Sequence, residues 1–491
     1  MSTHRTASTV FEISRPGRRG ILPPTCEPGL PGIDSCIPGH LRRQVPAELP
    51  AVSELDGIRH YTRMSTLNFA IDNTFYPLGS CTMKYNPRLN EVAASKPGFT
   101  HSHPLARAEE VQGFLEAMHA LESILAEVSG LPHVSLQPAA GAHGELTALM
   151  MIKAFHLERG AREREVILIP DSAHGTNPSS CTIAGFRTRE VKSGKDGTVD
   201  MDDLRAKLGP EVAGMMITNP NTLGIFEPNI QEISSILHAA GGLLYMDGAN
   251  MNAILGIARP GDFGVDVMHY NLHKTFSTPH GGGGPGAGPI AVTNTLEPYL
   301  PVPRVARSRD GKFSLSENHP RSIGKVRSYF GNSGILLRAL AYAWAHGPAD
   351  LRAVSEHAVL NANYIRAGLD GAYHLPYGAP SMHEVVFSAK IQKQFSVRAL
   401  DIAKRLCDLG FHPPTIYFPL IVSEALMIEP TETESKETLD QFIQAMLQIA
   451  RESETNPELL HNAPVTLPVK RLDEVNAVKT PVLTCCGTSP Q

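Results

Sequence analysis

A single Trp in 491 residues, no apolar run near the roughly 18 residues of a membrane span, and no CxxC pair: the chain is short of the marks of membrane proteins, disulfide scaffolds and zinc modules. Its cysteines, at positions 26, 36, 81, 181, 407, 485 and 486, share no repeated spacing, so reduced thiols and a cytoplasmic setting are expected. The opening MSTHRTASTVFEISRPGRRG has no apolar h-region, and no secretory signal is expected from it. Positive charge is not in excess: the formal net charge is −5, whereas a nucleic-acid-binding domain is normally basic. Neither nucleic acid nor a membrane is therefore an expected partner, and no internal repeat or low-complexity tract is evident.

With 42% hydrophobic and 19% charged residues, the chain can bury a large core. Residues 1–111 are rich in Pro and Gly, and ILPPTCEPGLPGIDSCIPGH reads as an extended arm of the kind that wraps a neighbouring domain or subunit. From Gln112 the texture changes: GFLEAMHALESILAEVSG and GELTALMMIKAFHLERG have helical apolar spacing. The short apolar runs 166–170, 213–218, 242–247, 265–271 and 288–293 are buried-strand candidates, with helical DMDDLRAKLG and NIQEISSILHAAGG among them. Strands alternating with helices predict, over 112–333, an α/β domain with a mostly parallel central sheet covered on both faces. A smaller C-terminal α+β domain is expected over 334–491, with helices at LLRALAYAWAHG, SVRALDIAKRLCDLG and near MIEPTETESKETLDQF. In that last stretch Thr431 and Glu434 have capping-box spacing, and its acids read as helix-start chemistry rather than as a catalytic carboxylate pair.

Ligands of parallel sheets bind beyond the carboxyl ends of the strands, and the polar motifs fall there. HYNLHKTFSTPHGGGGPGAGPI (269–290) puts Lys274 behind one strand and ahead of a glycine run. Gly281, Gly283 and Gly286 satisfy GxGxxG, but Pro285 interrupts and PIAV follows as strand, so a dinucleotide site lacks its context. DGAN (247–250) ends another strand. A carboxylate at Asp247 and an amine at Lys274 on one sheet edge suit pyridoxal 5'-phosphate (PLP): the lysine forms a Schiff base with the aldehyde, and the acid keeps the pyridine nitrogen protonated. QPAAGAHGELTALM (137–150) runs from small residues into a helix whose N-terminus suits a phosphate, the plain alternative being an ordinary turn. IPDSAHGTNPSS (169–180) brings His174 to the same rim, to stack on a ring or simply to cap or face solvent, and TNPNTLGIFEP (218–228) adds Asn219 and Thr222.

Further blocks stand beside these: FEISRPGRRG (11–20), FYPLGSCTMKYNP (75–87), PDSAHGTNP (170–178), DGANMNAI (247–254), NLHKTFSTPHGGGGPG (271–286), GKVRSYFGNSG (324–334) and GFHPPTIYFPLIVSEALMIEPTETESKETLD (410–440). Together with QPAAGAHGE (137–145) they resemble the lysine-bearing subunit family of two-subunit glycine dehydrogenase (decarboxylating), the P-protein of the glycine cleavage system. The resemblance implies a fold type I PLP enzyme that decarboxylates glycine and passes its aminomethyl group to the lipoyl arm of H-protein. It implies Lys274 as the PLP lysine, Asp247 as the pyridinium partner, His174 as the ring-stacking residue, and His273 as a proton carrier beside Lys274. Ala142 and His143 match the phosphate-side loop, and Asn219 and Ala249 are further candidate cofactor contacts. Ser80, Thr82 and Asn86 are candidate glycine contacts, a structured turn being the alternative. No metal is implied. The partner implied is a related subunit 1 without the lysine, in an α2β2 heterotetramer.

Three features stay open at this level. Arg327 is either a carboxylate anchor or a member of a structural ion pair. The basic stretches 15–20 and 302–312 either border the entrance used by acidic H-protein or are ordinary solvated or intersubunit charge. The family tends to end in an Arg–Trp pair after PVL, where this chain has Thr484, Cys485 and Cys486. Two rival readings share the Asp–Lys pair. Another fold type I enzyme, such as an aminotransferase or cysteine desulfurase, gives no reason for LGSCTMKYNP. A non-catalytic assembly subunit gives none for keeping Asp247, His174 and Lys274 together.

Overall fold

Val166–Pro170 is apolar throughout because it is covered twice: Val166 and Leu168 pack into one core, Ile167 and Ile169 into another. It is β2 of a seven-stranded sheet, in a computed structural model that describes residues 8–22, 24, 27–45, 47–103, 106–280, 286–328, 331–378 and 380–483. The other strands are β1 (His133–Ser135), β3 (Arg187–Val191), β4 (Val212–Thr218), β5 (Leu243–Gly248), β6 (Val267–Tyr270) and β7 (Ile290–Val292). Their order is β1-β7-β6-β5-β4-β2-β3. From β3 to β6 all neighbours are parallel, and β7 runs antiparallel to both β6 and β1. The expected α/β sheet is therefore present, and the five apolar runs form β2, β4, β5, β6 and β7. No comparable run announces β1 or β3; β3 lies at the sheet edge and keeps most of its residues partly or fully exposed.

Crossover helices Thr176–Ile183, Met201–Lys207 and Ile230–Ala239 link β2, β3, β4 and β5 in turn. Asp200 caps the second by accepting from the N–H groups of Asp202 and Asp203, each at 3.0 Å. Helix Gln112–Ser129 stops at Gly130, whose φ of 70° makes a left-handed cap. After β7 comes a hairpin of β8 (Arg304–Arg307) and β9 (Phe313–Ser316). The helical stretch 333–368 breaks at Gly347, with φ 65° and Pro348 next, so LLRALAYAWAHG ends where its glycine stands.

The C-terminal region adds the antiparallel sheet β10-β12-β11, with β10 Val385–Ser388, β11 Thr415–Ile416 and β12 Ala425–Ile428. Helices Ala399–Asp408 and Lys436–Thr455 close over it around Phe387, Phe442, Met446 and Ile449, and Phe75 joins this core from far upstream. Each such side chain contributes about 1.5–3 kcal/mol by leaving water. Here one expectation fails. The helix after this stretch begins at Lys436, with Ser435 as its cap, accepting from the Thr438 N–H at 3.3 Å, and it is not the last, since Pro457–His461 and Glu474–Lys479 follow. Thr431 is buried with φ 61°, not the extended geometry of a cap. Nor are the acids of this stretch all helix-start residues: Glu429 accepts from Thr82, and Glu432 pairs with Lys84 at 2.7 Å.

Residues Ile71–Ala463 make up one compact unit; Met1–Ala70 and Pro464–Gln491 make up another. Within the latter, the arm is not extended throughout, because Glu54–Thr66 is a helix closed by a Ser53–Asp56 capping box, and Arg18 pairs with Asp56 at 2.8 Å. Cys36, Cys81, Cys181 and Cys407 are free thiols; Cys26, Cys485, Cys486 and the glycine run 281–285 lie outside the described residues. No helix among the described residues is long and apolar enough to cross a membrane.

Candidate active site

Register brings the first charges together. β5 pairs with β4 at Asp247↔Thr218 and with β6 at Asp247↔His269. Asp247 is buried, and each of its oxygens is engaged: Oδ1 accepts from the Ala249 N–H at 3.0 Å and lies 3.2 Å from His269 Nε2, while Oδ2 accepts from Asn177 Nδ2 at 3.2 Å. The other nitrogen of His269 stands 2.5 Å from Tyr245 Oη. Burial pushes the Asp247 carboxyl up, but the charges of His269 and Lys274 and the N–H donors outweigh it, and the group titrates below its ordinary value. Its neighbour Glu145 goes the other way: burial and the Asp247 charge raise it, although Thr176 and Ser180 donate to it. The local negative charge therefore belongs to Asp247.

Lys274 follows β6 in a turn, its N–H donating to Asn271 O at 2.9 Å, and is neither fully buried nor exposed. Its charge acts on Asp247 and on His174. His174, beyond β2, meets Phe418 edge to face at 5.4 Å; burial and the Lys274 charge lower its imidazole, which is neutral at physiological pH. Helix Gly141–Glu158 starts without a side-chain cap, so its leading N–H groups point outward with no intrahelical partner. Small residues press this end onto the strand ends. A Cβ at Gly141 would overlap the Asn271 side chain, and one at Gly144 would lie 2.9 Å from His269 Cβ. Ala142 is in that first turn. His143 serves the turn itself, its Nδ1 accepting from the Ala139 N–H at 3.1 Å. Arg327 donates to the amide oxygen of Asn332 at 2.9 Å, and its charge, after burial, helps lower His143.

The LGSCTMKYNP block is clamped to the lysine loop. Lys84 Nζ donates to Thr275 O at 2.8 Å, and Asn86 Nδ2 to Ser277 O at 3.0 Å. Ser80 and Thr82 sit at φ 65° and 46°, and their N–H groups donate to Glu384 and Glu429, each at 2.9 Å. Thr82 is fully buried and its hydroxyl donates to Glu429 at 2.6 Å. Asn219, one residue past the Thr218 that pairs with Asp247, accepts from the Glu227 N–H at 2.9 Å, and its buried Nδ2 has no partner among the described residues. His273 meets His280 edge-on at 5.2 Å. Burial, with the neighbouring His280 and Lys274 charges, lowers His273 to about 3; burial and Lys274 lower His280 to about 4.

Sequence reasoning thus named Asp247, Lys274 and His174, which the fold brings to one rim, but it missed the residues that hold them. His269 was legible as the lone polar side chain in an otherwise apolar strand. Asn177, Glu145 and Lys84 gave no such signal. A buried acid, a nearby amine and an uncapped helix start thus converge where β5 and β6 end.

Comparison with known proteins places the chain by family and fold. Residues 354–463 match the glycine dehydrogenase C-terminal domain family, and residues 146–284 match the aminotransferase class-V family. A glycine dehydrogenase (decarboxylating) subunit 2 of Exiguobacterium sibiricum is 56% identical over 482 residues, covering 98% of each chain. That of Caldanaerobacter subterraneus subsp. tengcongensis is 54% identical over 476 residues, covering 97% of this chain and 98% of its own. Among solved structures, glycine decarboxylase (P-protein) of the glycine cleavage system, in inhibitor-bound form, superposes with a TM-score of 0.69 at 19% identity, over 84% of this chain and 94% of that one, and shares the fold. With a fold type I sheet and these full-length relatives, the chain belongs to the glycine dehydrogenase (decarboxylating) subunit 2 family.

Proposed function

We propose that this chain binds PLP and, together with a subunit 1 in an α2β2 assembly in the cytoplasm, decarboxylates glycine and passes the aminomethyl group to the lipoyl arm of H-protein. The observation that carries the reading is a buried, ionised Asp247 on the strand beside the one that leads into Lys274. The residues fit the cofactor. Asp247 matches a protonated pyridine nitrogen, the helix start at Gly141 matches a phosphate, and Asn219 Nδ2, Asn271 Oδ1 and Thr275 Oγ1 are buried polar atoms without partners among the described residues. When bound, PLP supplies an aldehyde carbon for attachment to Lys274 and a ring that takes up the electron pair released as CO₂ leaves.

The chain's own residues do the rest. His269, Asn177 and the Ala249 N–H fix both oxygens of Asp247, so its charge is in place before glycine arrives. His174 offers a neutral flat ring. Lys274 Nζ moves the proton, and His273 does not, because an imidazole lowered to about 3 is a poor base at neutral pH. Of the glycine contacts, Ser80 keeps its hydroxyl for substrate, while Thr82 and Asn86 shape the pocket through the groups they hold.

The test is the visible absorbance of the purified chain, alone and with subunit 1, followed by exchange of labelled bicarbonate into the glycine carboxyl group in the presence of H-protein. A cofactor band that responds to glycine, with H-protein-dependent exchange, is expected. A bound cofactor without exchange would favour an aminotransferase or desulfurase.

A further inference from the structure

β10 and β12 pair Val385 with Ile428. One step beyond that pair, Glu384 enters β10 and Glu429 leaves β12, so two glutamates face each other at one end of the small sheet. Neither exposes any surface, nor does His383 beside them. Reactive atoms of all three lie within 4.8 Å of one another. Like charges directly across strands are unfavourable even in water; two buried carboxylates at this separation do not both ionise.

The hydrogen bonds distinguish the two acids. Glu429 receives the Thr82 N–H at 2.9 Å, the Thr82 hydroxyl at 2.6 Å and Asn252 Nδ2 at 3.3 Å. Among the described residues Glu384 receives only the Ser80 N–H at 2.9 Å, on Oε2; its Oε1 has no partner there within hydrogen-bond reach and lies 3.7 Å from His383 Nε2. Among the described residues both ring nitrogens of His383 lack hydrogen-bond partners too. A carboxylate with three donors is the one that keeps the negative charge, and a carboxyl with a single donor and an oxygen left without one is the one that keeps the proton.

We propose that Glu384 and Glu429 hold a single proton between them, carried on Glu384, and that this acid pair positions the turn from Gly79 to Thr82 in the wall of the glycine pocket. The positioning half rests on the function proposed above; the protonation half does not. The pair explains why the turn accepts left-handed geometry at two non-glycine residues: each N–H so turned meets a glutamate. Gly79 is required in the same turn, because a Cβ there would overlap Met427 of β12. Four other titratable groups bear on the pair, Lys274, Cys81, His280 and His383, and the charge of Lys274 acts to lower both acids. Burial, then the Glu429 charge, raises Glu384 well above the carboxylate range. Stability that depends on its proton is present in acid and is lost as pH rises through that elevated value.

Infrared difference spectroscopy on the full chain with subunit 1 tests the proposal. At neutral pH, parent minus Glu384→Gln is expected to contain the carbonyl stretch of an un-ionised acid, while parent minus Glu429→Gln is expected to contain a carboxylate stretch. Glu384→Gln imitates the neutral acid, so it melts within about 4 °C of the parent at pH 7 and loses the fall in stability that runs from the ordinary carboxylate range up to that elevated value. Glu429→Gln cannot receive three donors; it keeps the PLP absorbance but raises the glycine KM about tenfold or more, with a smaller change in kcat. Glu429→Asp, which restores the charge, recovers part of that loss. No acid band in the first difference, an acid band in the second, or a stoichiometric divalent metal removed by chelator would each overturn the shared proton. An unchanged KM in Glu429→Gln would overturn the positioning role. A chain that never shows PLP absorbance refutes the functional reading instead, and the infrared result still decides the protonation.

Discussion

Among the described residues are two buried triads of the same make-up, a histidine with two acids: His269 with Glu145 and Asp247, and His383 with Glu384 and Glu429. They differ in outcome. In the first, the histidine is held by Tyr245 and contacts the acid, and Asp247 titrates below its ordinary value. In the second, the histidine has no hydrogen-bond partner among the described residues, and burial raises both acids. Composition does not set charge in a low-dielectric interior; the count and aim of donors does.

The cation common to both triads is Lys274, so its removal has the largest expected effect. Lys274→Ala should lose the borohydride-reducible lysine adduct and all measurable glycine turnover, as read by peptide mass and bicarbonate exchange. A full-stoichiometry adduct in the variant would mean that another amine holds the cofactor. Asp247→Asn comes next. It removes the one charge that the first triad retains, and kcat should fall by about 10²–10³-fold while PLP absorbance remains. An unchanged kcat would take away its electrostatic role.

The two triads were not equally legible in the sequence. Asp247, Lys274 and His174 lie just past apolar runs that only a two-faced parallel sheet requires, so strand-end logic finds them. Glu384 sits in SMHEVV, where nothing local marks it; its meaning comes from the Val385↔Ile428 register across 40-odd intervening residues. Glu429 was hidden in an acid-rich stretch that looks like a helix start, and a true cap, Ser435, does lie a few residues on. Short-range patterns carry information about elements, whereas a pair of opposed side chains is a property of tertiary pairing.

The first triad can be made to resemble the second. His269→Phe leaves Tyr245 Oη buried without its partner and removes a lowering charge from Asp247. The expected result is about 1–3 kcal/mol less stability and a kcat about tenfold lower. Adding Tyr245→Phe should restore stability, since no orphaned hydroxyl remains, but not the rate. If both recover together, His269 acts on packing alone.

The smallest effect concerns acid. Burial lowers His273 to about 3, His280 to about 4 and His383 to about 3, each ahead of any neighbouring charge. In the unfolded chain these imidazoles titrate near their ordinary value, so between that value and about 3 the unfolded state binds more protons. Stability from these groups is therefore complete above the ordinary histidine range and is lost as pH falls through it toward about 3. Urea midpoints measured from pH 7 down to pH 4.5 should decline, and His383→Phe should decline less steeply than the parent because one neutral-buried imidazole has been removed. His383 carries no hydrogen bond among the described residues, so the replacement tests titration with little lost bonding. A parallel decline in parent and variant would assign the acid sensitivity to the carboxylates that accept ion pairs, such as Glu91 with Arg338 and Glu452 with Arg405, and not to the silent histidine of the second triad.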